Sequence, residues 1–129
     1  GLDAATGELR WRVEAGNWVP SLSGVGDVIY FGSDNTVLEA HDMNDGRLLW
    51  AHNISEGVFN YVLGAPVRVQ DDLYFITQRG DIVALNAGDG TLRWKVSTGI
   101  TSRGGLTVAG GWLFVGGADG RVRAFTGTP

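Results

Sequence analysis

The chain has 129 residues, a formal net charge of −4 and no cysteine, and a chain of this length fits one domain with a modest core. The acidic balance leaves no basic surface for nucleic acid or anionic lipid, and no apolar run approaches the ~20 residues of a membrane span. The lack of cysteine excludes disulfides, thiolate metal sites and cysteine nucleophiles.

A motif built on one glycine and one tryptophan recurs along the chain. Its fullest copy, at 84–94, reads Ala-x-Asn-x-x-x-Gly-x-x-x-Trp. The complete copies pair Gly7 with Trp11, Gly46 with Trp50, and Gly90 with Trp94. Their glycines lie 39 and 44 residues apart, and a period near 40 residues predicts a propeller or a related repeat array. The repeats divide the chain at about 1–40, 41–84 and 85–124, and a fourth begins at 125–129.

Each period predicts four short strands separated by turns rich in glycine and aspartate. In the first period these are 9–13, 19–23, 28–32 and 36–40; in the second, 48–54, 65–69, 73–77 and 81–85; in the third, 92–96, 105–108, 112–116 and 121–125. The strands at 28–32, 73–77 and 112–116 are rich in β-branched and aromatic residues, which predicts burial on both faces. Twelve such strands indicate an all-β fold of antiparallel four-stranded sheets.

The motif and its strands together resemble the quinoprotein (PQQ-like) propeller repeat, over essentially the whole chain. The resemblance implies a β-propeller in which each motif tryptophan packs on a glycine peptide of the next blade. Six residues would then form the structural docking joints: Gly7, Trp11, Gly46, Trp50, Gly90 and Trp94. The chain departs from the family pattern with Gly1 for alanine, His41 in a usually apolar position, Asn86 for aspartate, and a last copy without tryptophan.

Twelve strands make three blades, whereas propellers of this family usually have six to eight. Three blades cannot easily close into a ring, and an open row of blades exposes apolar faces that favour association. Two interpretations stay open. The chain is a segment of a larger propeller, or two chains form a homodimer that closes a six-bladed ring.

The loops on one face of the predicted propeller are the candidate binding surface, because the copies differ from one another there. The candidate residues are Asn17, Trp18, Glu56, Phe59, Asn60, Tyr61, Arg79 and Arg103. The insertion at 55–61 makes the second period longer than the first. Its aromatic residues would either contact a partner or plug the central channel, and the arginines would either clamp an acidic partner or remain solvated.

Dehydrogenases of this family hold PQQ and Ca²⁺ on the same face. The ion needs several oxygen ligands, but the oxygen-bearing candidates Asp34, Glu56, Asn60 and Asp119 fall in different blades, and the family's vicinal cysteine pair is absent. His41 and His52, the two histidines, have no triad partners at a characteristic spacing. No catalytic residue, metal site or cofactor is therefore expected.

Three functions follow as alternatives. The first is a non-enzymatic propeller that binds a protein or peptide through its loop face, as a scaffold or a sensor module. The second is a segment of a PQQ- and calcium-dependent alcohol or sugar dehydrogenase. The third is a self-assembling structural repeat. By family analogy alone, the expected location is extracytoplasmic, in the bacterial periplasm or envelope.

Overall fold

A computed structural model describes residues 1–54 and 60–126. Within them the structure consists of strands, turns and loops, with no helix that has the length and apolar character needed to cross a bilayer. The first sheet contains β1 (Leu22–Val25), β2 (Val28–Gly32), β3 (Val37–Asp42) and β4 (Leu48–Asn53). The second contains β5 (Val67–Val69), β6 (Asp72–Ile76), β7 (Asp81–Asn86) and β8 (Leu92–Ser97). The third contains β9 (Leu106–Ala109), β10 (Trp112–Gly116) and β11 (Val122–Thr126).

Each sheet is an antiparallel meander in which strands adjacent in sequence pair with one another. The outer strands occupy equivalent registers in the first two sheets, because Trp50 lies opposite Ala40 and Trp94 lies opposite Ala84. We call the three sheets blade 1, blade 2 and blade 3 in chain order. They confirm the predicted all-β fold of four-stranded propeller blades, with three strands formed in the third.

The predicted strand at 9–13 is wrong. This segment makes only an isolated bridge between Leu9 and Leu2. The equivalent strands β4 and β8 each pair with a full strand about ten residues upstream, β3 or β7. Among the described residues no strand lies beside 9–13, so no ladder of backbone hydrogen bonds forms there.

The first strands of blades 1 and 2, β1 and β5, begin later than predicted: β1 begins at Leu22 rather than at 19, and β5 begins at Val67 rather than at 65. Pro20 and Pro66 explain the shift, since proline has no backbone N–H to donate to a ladder. The turn before β6 begins at Gln70, which adopts a left-handed φ of 54°.

The core lies between the sheets. Tyr30 and Leu38 of blade 1 pack in one cluster with Leu73 and Phe75 of blade 2. A second cluster joins blade 2 to blade 3 through residues that include Ile76, Ile82, Leu106, Leu113 and Val115. The apolar strands thus bury their side chains against the next blade.

Burial on both faces, predicted for all three middle strands, is wrong for β10. In β2, Tyr30, Phe31 and Gly32 are all buried, whereas Trp112 at the start of β10 is 45% exposed. Blade 3 packs on blade 2 through one face. Among the described residues no further sheet lies against its other face.

The segments that precede β5 of blade 2 and β9 of blade 3 come into backbone contact at Gly64 and Gly105. A Cβ added to Gly64 would overlap the N and Cα atoms of Gly105. Only a residue without a side chain therefore fits at this crossing, which brings the two blades together at the inner side of the fold.

Gly64→Ala is expected to lower the free energy of unfolding by about 1–3 kcal/mol, because the backbones must move apart to admit a methyl group. Gly104→Ala is the matched control, since a Cβ there would meet no atom within 4 Å. Urea denaturation of both variants measures the difference. Equal losses of stability would show that the close approach is unimportant.

Candidate functional site: the loop face

Backbone hydrogen bonds join the loops of all three blades along one face. Gln78 N donates to Tyr61 O (2.8 Å), and Ser102 N donates to Gln78 O (3.1 Å). Ala118 N donates to Thr101 O (2.9 Å), which extends the series into blade 3. We call this surface, formed by residues 16–18, 60–61, 78–80, 98–103 and 117–120, the loop face.

Asn17 is held to blade 1 by Asp34. Its backbone N donates to Asp34 Oδ1 (2.9 Å) and its Nδ2 to Oδ2 (2.8 Å). The side-chain amide of Asn17 is the main cause of the lowered pKa of Asp34, followed by the backbone N–H. Asn17 therefore anchors the loop that carries Trp18, and both oxygens of Asp34 are already engaged.

Trp18 and Tyr61 bring two aromatic rings together on the loop face. Their centroids are 6.3 Å apart and their planes are inclined at 59°. Trp18 is 47% exposed, and Tyr61 is half-buried. Since Trp18 precedes blade 1 and Tyr61 precedes blade 2, the pair spans the entrances to both blades.

Asn60, a binding-surface candidate from the sequence, lies in the interior with 2% of its surface exposed. Its Oδ1 accepts a hydrogen bond from Arg79 N (3.1 Å), so it fixes the 78–80 turn from below. Within the loop face, Asn60 therefore has a supporting role, and its side chain is not exposed to solvent. Glu56 and Phe59 lie outside the described residues.

Arg79 and Arg103 are both exposed on the loop face. They come from different loops: Arg79 occupies the turn between β6 and β7, and Arg103 follows the segment that leads to β9. The two positive residues thus lie on loops that share the hydrogen bond between Ser102 and Gln78, and Gln78 also bonds to Tyr61.

A groove of about 730 Å³ continues the loop face toward blade 3, and Thr98, Ile100, Asp119 and Arg123 help to line it. The Arg123 guanidinium donates to both carboxylate oxygens of Asp119 (3.0 and 2.5 Å), which lowers the pKa of that carboxyl to about 2. Sequence reasoning missed Arg123. Its spacing of four residues from Asp119 across a hairpin turn was the available signal.

The carboxylates of the loop face do not converge on a metal site. Asp34 is bound by Asn17, and Asp119 is bound by Arg123. Over residues 1–54 and 60–126, no group of three or more His, Asp or Glu side chains could hold a metal ion. The described part of the face therefore offers aromatic and positively charged contacts rather than an oxygen ligand cage.

The tryptophans of the first two motif copies contact the turn of the following copy. Trp11 Nε1 donates to Met43 O (2.8 Å) and Trp50 Nε1 to Ala87 O (3.0 Å), at equivalent positions of successive copies. The two rings cover Gly46 and Gly90, where an added Cβ would collide with them. We propose that these contacts are the joints between consecutive copies.

The remaining motif residues have other surroundings. Trp94 is 37% exposed and lies 6.0 Å from the Tyr74 ring, measured between centroids. Gly7 has a left-handed φ of 74°, and a Cβ added to it would meet no atom within 4 Å. At Gly7 the glycine is thus needed for the turn, with no ring packed on it.

The repeat, the blades and the loop face agree with a family comparison. The family model described as outer membrane protein assembly factor BamB matches residues 1–104 and, in a second register, residues 33–128. The chain belongs to this family. The match confirms the resemblance to the PQQ-like propeller repeat, and the overlapping registers reflect the internal repetition.

Relatives named BamB align with nearly all of this chain, but the alignment covers only part of each relative's own length. Outer membrane protein assembly factor BamB of Yersinia pestis is 31% identical over 95% of this chain and 35% of its own length. The BamB of Salmonella typhimurium strain LT2 is 30% identical over 97% of this chain and 31% of its own length. The chain thus spans about a third of the length of the curated relatives it matches.

Solved structures support the fold. BamB from Moraxella catarrhalis superimposes with a TM-score of 0.71 at 24% identity, over 93% of this chain and 37% of that one. Quinohemoprotein alcohol dehydrogenase from Comamonas testosteroni gives 0.67 at 18% identity, over 74% and 21%. At these identities the likeness establishes a shared propeller architecture and carries no activity from either protein to this chain.

Proposed function

We propose that this chain is a non-enzymatic segment of a BamB-type propeller, and that it binds a protein or peptide through the loop face. The observation that carries the proposal is the Trp18–Tyr61 ring pair, on a face whose loops are joined by backbone hydrogen bonds and also carry the exposed residues Arg79 and Arg103. Tryptophan, tyrosine and arginine are the residues that most often dominate the energetics of protein interfaces.

The side-chain hydrogen bonds that hold the loops favour binding over a purely passive surface. Asn17 and Asn60 use their side chains to fix the loops that present Trp18 and Arg79. Loops that are ordered before binding lose less conformational entropy when a partner arrives. The positive side chains favour a partner segment that carries carboxylates beside apolar residues, since such a segment can use both kinds of contact.

The partner class follows from the relatives' name, which describes an outer membrane protein assembly factor. We infer that this chain serves as part of such an assembly scaffold, on the extracytoplasmic side of the bacterial envelope. The sensor-module alternative would use the same loop face with a different partner, and the whole chain of 129 residues would act as one propeller segment in either role.

Trp18→Ala tests the proposal against a matched control, Trp112→Ala. The two tryptophans are 47% and 45% exposed, but Trp112 follows the Gly110-Gly111 turn at the opposite end of its blade. The probe is a fluorescently labelled outer membrane protein, which is unfolded in urea and then diluted into a solution of the chain. By fluorescence anisotropy, Trp18→Ala is expected to weaken binding about tenfold or more, as loss of an interface hot spot does, and Trp112→Ala should leave it unchanged.

Two outcomes would contradict the proposal. Equal binding by both variants would remove the loop face from the interaction. Saturable binding of PQQ in the presence of Ca²⁺, with reduction of a dye by an alcohol or sugar, would replace the scaffold by the dehydrogenase alternative.

A further inference from the structure

We propose that Asp81 is a positioning residue of the loop face, and that its carboxylate holds the turn between β6 and β7 in the arrangement that binds a partner. The inference rests on the proposed function of that face and adds a residue that lies beneath it. Asp81 is the first residue of β7, and its side chain is only 14% exposed. It therefore acts through its neighbours rather than by touching the partner.

The turn between β6 and β7 is where the loops of blades 2 and 3 meet. Gln78 bonds through its backbone to Tyr61 on one side and to Ser102 on the other. Thr98 adds a second connection, because its backbone N and its Oγ1 both donate to Gly80 O (3.0 and 2.7 Å). A shift of this turn would therefore disturb the segments that lead into both blades.

Three donors converge on the carboxylate of Asp81 at the base of the turn. Ser97 Oγ donates to Oδ1 (2.5 Å), and Lys95 Nζ lies 3.3 Å from Oδ2. The side-chain amide of Asn60 also hydrogen-bonds to this carboxylate. The outer strand β8 and the segment before blade 2 are thus tied to the same group.

Asn60 carries this constraint to the loop face. Its Oδ1 accepts a hydrogen bond from Arg79 N (3.1 Å), while the same amide group meets Asp81. An ionised carboxylate can only accept, so it selects the NH2 group of Asn60 and leaves Oδ1 for Arg79. Asp81 therefore determines which end of the buried amide points at the turn.

The surroundings of Asp81 favour its ionised form. Burial raises the pKa of this carboxyl, but the hydrogen bonds from Ser97 and Lys95 outweigh burial and hold the pKa below its ordinary value. The group is therefore a pure acceptor at neutral pH, as the orientation of Asn60 requires.

The sister blades show that the strand pair itself does not need a carboxylate at this position. In blade 1 the equivalent residue is Val37, which lies opposite Asn53 as Asp81 lies opposite Ser97. In blade 3 it is Arg121, which is exposed and immediately precedes β11. Since the same register forms with valine, the carboxylate of blade 2 has a local role, in the turn above it.

Asp81→Asn tests the proposal against a matched control, Asp72→Asn. Both variants remove one negative charge from blade 2. Asp72 is also paired with β8, through Arg93, but at the opposite end of the blade. With the labelled outer membrane protein as the probe, Asp81→Asn is expected to weaken binding about fivefold, the contribution of one hydrogen bond, and Asp72→Asn should leave binding unchanged.

Hydrogen exchange of the Arg79 amide provides a readout that a general loss of stability would not give. An asparagine at position 81 can donate as well as accept, so Asn60 can turn its Oδ1 away from Arg79. By NMR at fixed pH, the Arg79 amide is expected to exchange about tenfold faster, while the amides of β6 keep the rates of the unmodified chain. An equal acceleration of all these amides would overturn the positioning role.

Asp81→Val is the second variant, because Val37 shows that a blade folds with valine at this place. It removes the acceptor altogether and should weaken binding at least as much as Asp81→Asn. Binding as tight as that of the unmodified chain in both variants, or an unchanged Arg79 exchange rate, would overturn the proposal. An unmodified chain that fails to bind the probe would contradict the proposed function instead, and the exchange rate of Arg79 would still decide whether Asp81 positions the turn.

Discussion

Replacing Trp50 with alanine is expected to lower the free energy of unfolding by roughly 3–5 kcal/mol, the range for truncating a buried aromatic side chain. Trp50 is 8% exposed and belongs to the cluster that joins blades 1 and 2. Its ring lies 6.0 Å from that of Tyr30, measured between centroids, and covers Gly90 of the next copy. Truncation would leave a cavity between the blades.

A hydrogen bond adds to this loss. Trp50 Nε1 donates to Ala87 O (3.0 Å), and Ala87 is itself buried. Without the indole, the carbonyl oxygen lacks this donor at a buried site, which costs about 1–3 kcal/mol where water cannot replace it. Trp50→Phe helps to separate the two contributions, because it keeps a six-membered aromatic ring while it removes Nε1 and the rest of the five-membered ring.

Trp18→Ala is the control for the size of the side chain. Trp18 is 47% exposed, so its removal should change the unfolding free energy by much less. Guanidinium denaturation followed by circular dichroism measures both variants against the unmodified chain. Equal midpoints for Trp50→Ala and Trp18→Ala would contradict the role of Trp50 as a joint between blades.

The repeat frame was enough to predict most of the fold. Aligning the copies placed β2 and β10 at their observed bounds. Prediction from the local sequence failed where strand formation depends on a neighbouring strand. Residues 9–13 have the composition of a strand, but strand formation needs a neighbouring edge, and composition does not supply one.

The loop face was predicted as a set of loops, but not in its internal detail. Whether Asn60 faces solvent or the interior depends on how the 60–61 segment packs against the 78–80 turn, and both are irregular in structure. The same holds for Asp119, whose pairing with Arg123 depends on the hairpin that joins β10 and β11. Irregular segments have no periodicity from which side-chain direction can be read.

His41 shows how a departure from the family pattern acquires a structural explanation. Its ring is 5% exposed and stacks on Phe31, with centroids 5.0 Å apart. Nδ1 is 2.8 Å from Gly46 O, and Nε2 is 2.8 Å from Glu39 Oε2. Because a carbonyl oxygen can only accept, Nδ1 carries a hydrogen. The contact between Nε2 and the Glu39 carboxylate is the second polar contact of the ring.

Breaking this pair from either side is expected to lower the free energy of unfolding by about 3 kcal/mol, since the remaining polar group stays largely buried without its partner. The side chains of His41 and Glu39 are only 6% and 16% exposed, so water replaces the lost contact poorly. Blade 2 supplies the matched substitutions. Val83 and Leu85 occupy the positions of Glu39 and His41 there, and both are buried.

The double variant Glu39→Val with His41→Leu transfers the blade 2 residues into blade 1. It should recover most of the loss seen in either single variant, because replacing a buried ion pair by apolar residues of similar size is often neutral or stabilising. About 1 kcal/mol should remain unrecovered, since Gly46 O loses the donor Nδ1. A double-mutant cycle from urea denaturation measures the coupling. If the two single losses simply add in the double variant, the Glu39–His41 contact does not stabilise blade 1, and the polar residues at this face have another cause.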